Sequence, residues 1–524
     1  MFLKLYVLIA LGVLLQQNGC AKAQIRKNVV CYHGTWATYR QSSGKFDVNT
    51  IDPFLCTHLM YAFFGIEESG DLRVIDPYLD LEDNGGRGNI RKFNALKLQN
   101  PTLKTLAAIG GWNEGSANFS IVANDPERRK RFVRSVVQFV QRHSFDGVDL
   151  DWEYPNQRHN LDYDDKTNFI TLLRELKAGL DPYEYLLTGA VGSSAESASK
   201  SYNITEISKY LDLINVMAYD LHGPWDPVTG NNAPLFAGPN DITEKNKQLN
   251  LDAIIKYWLS EGLTLETFIS CHALIHNLIS GAPREKLVVG VPFYGRSFTL
   301  SDAEQHSVGA PHLGRGLAGQ YSIEPGTIGY NELCELMQTQ PWKEEWDEAQ
   351  MTPYAYMGQQ WVGFENPRSI FLKAQYVRDN DLAGVMVWSL ESDDFRGTCG
   401  GEKYPLLQTI NRVLFDGHTA TGLTQAVLNS VAETIQRPAA AGVVASSAVG
   451  GQQQQQQQSI VPDPRGNSEC GSDVEGYLRD THDCGKFYYC QRGVSYTFNC
   501  PQGLQFDLTT GNCNYAQLVQ CERI

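Results

Sequence analysis

The chain runs to 524 residues, 42% of them hydrophobic and 20% charged, with a formal net charge of −15 at pH 7. One hydrophobic core usually stops growing near roughly 250–300 residues, which argues against a single domain and sets the expectation at two or three units. The negative balance opposes phosphate backbones and anionic lipid, so nucleic acid and membrane surfaces drop out as partners, while an uncharged polysaccharide is indifferent to it.

In chain order, Lys4, the apolar run from Leu5 to Leu15 and the small-x-small triplet Ala21-Lys22-Ala23 read as an export signal over 1–23, with the mature start near Gln24. The run is shorter than the roughly 20 apolar residues of a spanning helix and no later segment qualifies, so no membrane anchor is expected. Twelve cysteines and two glycosylation sequons, at Asn118 and Asn203, fit a secreted, extracellular protein.

Short β-rich runs then alternate with longer helical stretches over 24–418. Strands are expected at 28–32, 58–64, 105–110, 145–151, 185–191, 211–219, 286–293 and 383–389, with amphipathic helices such as 128–143 and 166–180 between them. Strand-then-helix order repeated eight times predicts an α/β fold, a (β/α)8 barrel with its chemistry at the C-terminal ends of the strands. A doubly wound sheet is the alternative, but no Gly-rich phosphate loop follows the first strand. The stretch 298–361, rich in Tyr, Gly and Pro, is too long for one crossover helix and reads as a small α+β domain inserted between the seventh and eighth strands.

From 419 to 467 Ala, Val, Ser and Gly dominate and Gln452 to Gln458 are unbroken glutamine, which predicts a disordered linker, with a helical extension over 423–435 as the alternative. The remaining segment, 468–524, holds Cys470, Cys484, Cys490, Cys500, Cys513 and Cys521. It is too small to bury enough surface alone, so a β module stapled by three disulfides is expected. Zinc is the competing reading, but no CxxC pair occurs and His482 lacks ligand spacing; His33, His143, His222, His272 and His276 show no metal spacing either.

The most informative stretch is Phe145-Asp146-Gly147-Val148-Asp149-Leu150-Asp151-Trp152-Glu153-Tyr154-Pro155. Residues two apart on a strand share a face, so Asp149, Asp151 and Glu153 should project together at spacings of about 6.5–7 Å, and Val148, Leu150 and Trp152 the other way. Three carboxylates crowded into a partly buried site cannot all ionise, so at least one should keep a proton, as a general acid requires. Geometry alone leaves three readings open: catalysis by paired carboxylates, a calcium or magnesium site, and solvated surface charge, which burial of both faces would make costly.

This stretch resembles the DxxDxDxE signature of family 18 glycoside hydrolases, matched by Asp146, Asp149, Asp151 and Glu153. The likeness extends over most of Val29 to Phe415: Leu106 to Trp112 is similar to the family's third-strand motif, Met217-Ala218-Tyr219-Asp220 to its sixth, Val291 to Arg296 to its seventh and Gly384 to Ser389 to its eighth. The terminal segment, with Tyr488, Tyr489 and Phe498, resembles peritrophin-type chitin-binding modules. That resemblance implies disulfides pairing Cys470 with Cys490, Cys484 with Cys521 and Cys500 with Cys513, and in the barrel Cys31 with Cys56 and Cys334 with Cys399.

The resemblance implies a chitinase acting on chitin and chitooligosaccharides by a substrate-assisted, retaining route, without cofactor or metal and as a monomer. Glu153 would be the general acid, Asp151 would hold the acetamido N–H, Asp149 would share a proton with Asp151, and Tyr219 would orient the acetamido carbonyl with Asp220 beside it. Asp146 completes the implied catalytic set. Trp388 would floor the reacting sugar, with Trp36, Trp112 and Trp225 as further platforms and Tyr32, Phe63, Tyr154, Met217, Tyr294 and Arg296 as further substrate contacts. Packing into the core or rim is the plainer reading of any single aromatic. A lectin or growth-factor-like relative that has lost the acid is the rival, opposed by the presence of Glu153, and an endoglycosidase for N-glycans is opposed by the terminal module. Against the family pattern, the mostly apolar segment 263–281 intervenes and leaves Cys271 without a partner, which reads as retained intron sequence or a gene-model error, with a helical elaboration as the alternative.

Overall fold

Alternation along eight short strands sorts their residues into two layers. The strands are β1 Asn28–Gly34, β2 His58–Ile66, β3 Lys104–Gly110, β4 Gly147–Asp151, β5 Leu186–Gly192, β6 Leu213–Met217, β7 Leu287–Pro292 and β8 Gly384–Trp388. Each pairs in parallel with the next, and β8 pairs back onto β1 through Asn28 opposite Gly384 and Cys31 opposite Val387. The sheet is thus a closed barrel. Val29, Cys31, Val148, Leu150, Val289 and Val385 face outward beneath the helices, while Val30, Met60, Leu106, Val288 and Met386 fill the interior. Asp149 and Asp151 fall on the inner side of β4, as a two-residue repeat demands.

This chain is described over residues 27–159, 161–260 and 281–415, and over 476–480, 483–491, 494–500, 504–507, 512–515 and 519 of the terminal segment, by a computed structural model. The export segment 1–23, the segment 263–281 with Cys271 except its last residue Gly281, the linker 419–467, and the side chains of Cys470, Cys490, Cys513 and Cys521 lie outside the described residues. Among those described, no helix is long and apolar enough to cross a membrane.

The helix Pro126–His143 shows how sequence sets the outer layer. Asp125 caps it by accepting from the N–H groups of Glu127 and Arg128, Pro126 takes the first-turn position where its missing N–H costs nothing, and Ser144 ends it at φ +61°. Phe132, Val136 and Val140 recur at four-residue spacing and are fully buried against the barrel. Phe132→Ala would cost about 3–5 kcal/mol, the usual loss for emptying an aromatic core site. The helices Asp165–Leu180, Leu251–Ser260 and Pro367–Asp379 cover the barrel by the same logic.

Strand bounds differ from expectation chiefly at β6, which stops at Met217, two residues before the expected end at Tyr219. There Ala218 N bonds to Val216 O and Asp220 adopts φ +56°, so Tyr219 and Asp220 leave the sheet. Between β7 and β8 an antiparallel sheet runs in the order His312–Arg315, Tyr294–Leu300, Gln360–Gly363, Thr352–Met357, Lys343–Asp347, with Thr327–Gly329 also on Tyr294–Leu300. It therefore starts at Tyr294 and not 298, because the chain re-enters a strand one residue after Phe293, and it ends at Gly363 and not 361. Disulfides join Cys31 to Cys56 and Cys334 to Cys399.

The chain divides into two compact units after Ser430. In the second, Gly476–Arg479, Lys486–Gln491 and Val494–Asn499 form an antiparallel sheet and Leu504–Asp507 pairs with Asn512–Tyr515. Phe487 stacks on Phe506 at 3.9 Å, and both Cys484 and Cys500 are disulfide-bonded.

Candidate active site

The end of β4 carries a graded set of carboxylates. Asp149 is wholly buried and accepts hydrogen bonds from Tyr32 Oη at 2.6 Å, Thr188 Oγ1 at 2.6 Å and Asn215 Nδ2 at 3.2 Å, donors supplied by β1, β5 and β6. Burial raises its pKa, and those three donors pull it back. With its oxygens taken by donors, Asp149 offers little to a hard cation, which needs a cage of six to eight oxygens. Asp151, one strand repeat further, is also buried, and its Oδ1 has no hydrogen-bond partner. Burial first, then the charges of Glu153 and Asp149, hold its pKa well above the ordinary carboxylate range.

Glu153 lies just past the strand. Burial pushes its pKa up to about 7, against the pull of the Tyr154 hydroxyl and of Arg158, with Asp220 adding to the rise. Burial therefore favours the protonated form of all three carboxyls. A buried carboxyl poised near 7 can give a proton to a leaving oxygen and take one from water, the two halves of acid–base catalysis.

Two glycines let β3 close against this cluster. At Gly110, φ +117°, a Cβ would lie 2.1 Å from Asp151 O; at Gly111, φ +86°, it would lie 2.6 Å from Phe63. Gly111 N donates to Asp151 O at 2.9 Å. No L side chain fits there. The peptides Ala62–Phe63, within β2, Glu153–Tyr154, just past β4, and Trp388–Ser389, at the end of β8, are cis.

Aromatic rings line the opening. Phe63 stacks on Trp388 at 5.5 Å and on Trp36 at 6.3 Å, and Tyr32 tilts against Trp388 at 5.5 Å. Trp36, Trp112 and Trp225 are 44%, 59% and 58% exposed, far above what core packing would leave, so of the plainer reading only packing at the rim remains. Tyr219 is buried, edge-on to Tyr294, and its hydroxyl meets only the weak acceptor Met386 Sδ at 3.8 Å. Met217 packs beside it in the barrel interior. Asp220 accepts from Tyr294 Oη and from Arg296 Nε, each at 2.7 Å, and the Arg296 guanidinium lies 5.3 Å from the Trp225 ring.

Asp146 does not join the carboxylate cluster, against its expected place in the catalytic set. It sits at the foot of β4, where Oδ2 accepts from Thr105 N and from Lys97 Nζ, each at 2.8 Å, and Lys104 lies 3.7 Å away. It ties β3 to β4 at the end away from Glu153. Sequence reasoning missed Thr188, Asn215 and Arg158. The first two were legible in principle, as polar residues at inward positions of otherwise apolar strands. Of the sequons, Asn118 donates through Nδ2 to Ile66 O at 2.9 Å, while the exposed Asn203 caps Ile204–Ile207. Among the described residues, the one group of side chains close enough to hold a metal is Cys334, Asp394 and Cys399, and its two cysteines are joined in a disulfide.

Residues 28–393 match the family described as glycosyl hydrolases family 18, and residues 470–521 match the chitin binding peritrophin-A domain. Over 415 residues the chain is 38% identical to "Probable chitinase 2" of Drosophila melanogaster, covering 74% of this chain and 80% of that protein. Among solved structures it is similar to the group IV chitinase of Ostrinia furnacalis in complex with allosamidin, at 46% identity and a TM-score of 0.69, covering 75% of this chain and 100% of that one. Human YKL-39, described as a pseudo-chitinase with retained chitooligosaccharide binding properties, is 34% identical with a TM-score of 0.64, covering 74% of this chain and 99% of its own.

Proposed function

Because the chain belongs to family 18 of the glycosyl hydrolases, we propose that it is a secreted chitinase that cleaves β-1,4 bonds between N-acetylglucosamine units, with Glu153 as general acid and base. The observation that carries this reading is the buried cluster of Asp149, Asp151 and Glu153 at the end of β4, with aromatic rings stacked at the barrel opening.

Glu153 gives its proton to the glycosidic oxygen as the C1–O bond breaks. The acetamido carbonyl oxygen of the sugar on the non-reducing side attacks C1 from the opposite face and forms an oxazolinium ion. Glu153 then takes a proton from water, whose oxygen opens the ion at C1, so configuration is retained. Most glycoside hydrolases divide this work between two carboxylates, whereas here the substrate supplies the nucleophile in place of the second. The unpartnered Oδ1 of Asp151 suits an acceptor for the acetamido N–H, and its charge offsets that of the cation. Asp149, fixed by Tyr32, Thr188 and Asn215, is the neighbour with which Asp151 shares a proton. The Tyr219 hydroxyl is left to orient the carbonyl, and Trp388 offers a flat floor for the distorted ring. Export is supported by the leader-like residues 1–23, and anchoring to solid chitin by the peritrophin-A match at 470–521.

A binding-only protein like the pseudo-chitinase relative is separated from an enzyme by one variant. Glu153→Gln should lose at least about 10²–10⁴-fold in chitooligosaccharide turnover, the usual worth of a placed general acid, while binding survives. Near-parent turnover by that variant would overturn the assignment.

A further inference from the structure

The loop that follows the acid contains a cation with an unusual set of partners. Arg158 donates from Nη1 to the main-chain oxygen of Glu153 at 3.0 Å and from Nη2 to the main-chain oxygen of Trp112 at 2.9 Å. Its Cζ stands 3.5 Å from the centre of the Trp112 ring. One planar fork thus grips the general acid's backbone, the backbone of an exposed indole and the face of that indole. Only arginine has this geometry, because lysine carries a point charge with no plane to stack and no pair of parallel donors. We propose that Arg158 is a positioning residue that locks the Trp112 platform to Glu153, so that a sugar stacked on the indole is held in register with the acid. The inference rests on the reading of Glu153 given above.

The surrounding bonds show that the loop is built to hold Arg158 in place. Arg158 itself adopts φ +63° and Asn156 φ +58°, conformations that L residues rarely take unless neighbours enforce them. Asn156 N and His159 Nε2 both reach Asp165 Oδ2, at 3.0 and 2.6 Å, and Asp165 N donates back to Asn156 Oδ1 at 2.8 Å. Gln157 Nε2 reaches Ser201 Oγ at 2.7 Å. The Trp112 side is tied as well, since Ser116 Oγ donates to Tyr154 O at 3.0 Å and accepts from Trp152 Nε1 at 2.6 Å. Arg158 touches both the indole and the acid's own residue.

Kinetics of the full-length protein on chitohexaose test the proposal, with Arg158→Ala, Arg158→Lys, Trp112→Ala and the double variant Arg158→Ala/Trp112→Ala. Loss of one cation–π contact should raise KM about two- to fivefold in Arg158→Ala, and the double variant should show no further rise over Trp112→Ala alone. The ionisable groups facing Glu153 are Asp151, Tyr154, Arg158, Tyr202, Tyr219 and Asp220, and Arg158 is the cation among them. Its removal should therefore move the alkaline limb of kcat/KM to higher pH. Arg158→Lys should keep that limb and still raise KM, a split that a merely structural role would not give. Additive losses in the double variant, or a KM and pH limb unchanged in Arg158→Ala, would overturn the proposal. A parent that bound chitohexaose without cleaving it would overturn the functional reading instead, and the same comparison, made on Kd by tryptophan fluorescence, would still decide the role of Arg158.

Discussion

At the residue scale the buried carboxylate cluster costs stability. A carboxyl whose pKa is about 7 when folded, against about 4.3 when unfolded, binds more protons in the native state across that interval. Stability then falls as pH rises from about 4.3 to 7, and the full penalty stands above 7. Glu153→Gln removes the titration, so it should melt about 1–4 °C higher than the parent at pH 8 and show little difference at pH 4. Differential scanning calorimetry at the two values checks this, and an equal or lower melting temperature at pH 8 would contradict the buried-acid account. Activity carries the matching sign: the acid must be protonated, so kcat/KM should fall as pH rises through about 7. Asp146 makes the opposite case. Asp146→Ala strands the buried Thr105 N–H and should cost about 1–3 kcal/mol in stability, yet leave kcat near the parent value. A loss of kcat comparable to that of Glu153→Gln would return Asp146 to the catalytic set. The sequence itself carried the hint, because Asp146 is out of step with the inward series Asp149 and Asp151.

At the element scale, the barrel strands were legible because each is buried on both faces and reads as a short apolar run bounded by polar residues. Their ends were less so. The turn at Ala218 to Asp220 depends on a left-handed Asp220 held by Asn232 Oδ1, a contact from twelve residues away that no local pattern announces. Asp149's partners were hidden for the same reason, since Tyr32, Thr188 and Asn215 meet it only after the barrel closes. The helix Leu251–Ser260 and the start of the next element show something the sequence could not. Ala282 N donates to Trp258 O at 2.9 Å, and Gly281 stands at φ +95° with no room for a Cβ beside Leu259 O. This is the bond and the glycine of a Schellman cap, and it closes across the segment 263–281. If Gly262 took the place of Gly281, Ala282 would fall at the position that cap requires. Deleting 263–281 should therefore leave the melting temperature and chitooligosaccharide kcat close to the parent values. A variant that failed to fold, or lost kcat, would show that the segment supports the barrel.

At the scale of the whole molecule, a barrel with its own cleft is joined in one chain to a peritrophin-A domain. Crystalline chitin is an immobile solid, so an enzyme that leaves its surface must find it again by diffusion, whereas a bound module keeps the local substrate concentration high. Truncation after Phe415 should lower activity on insoluble chitin and leave turnover of soluble oligosaccharides nearly unchanged. Equal loss on both would mean that the terminal unit supports folding of the barrel. The roles of Asp151 and Glu153 depend on the route taken at the anomeric carbon, because the acetamido group and not a second carboxylate is assigned the attack. Proton NMR of the sugar first released from chitohexaose reads that route directly. Retention predicts that the newly formed reducing end appears as the β-anomer and only later mutarotates, whereas initial release of the α-anomer would contradict substrate-assisted hydrolysis by Asp151 and Glu153.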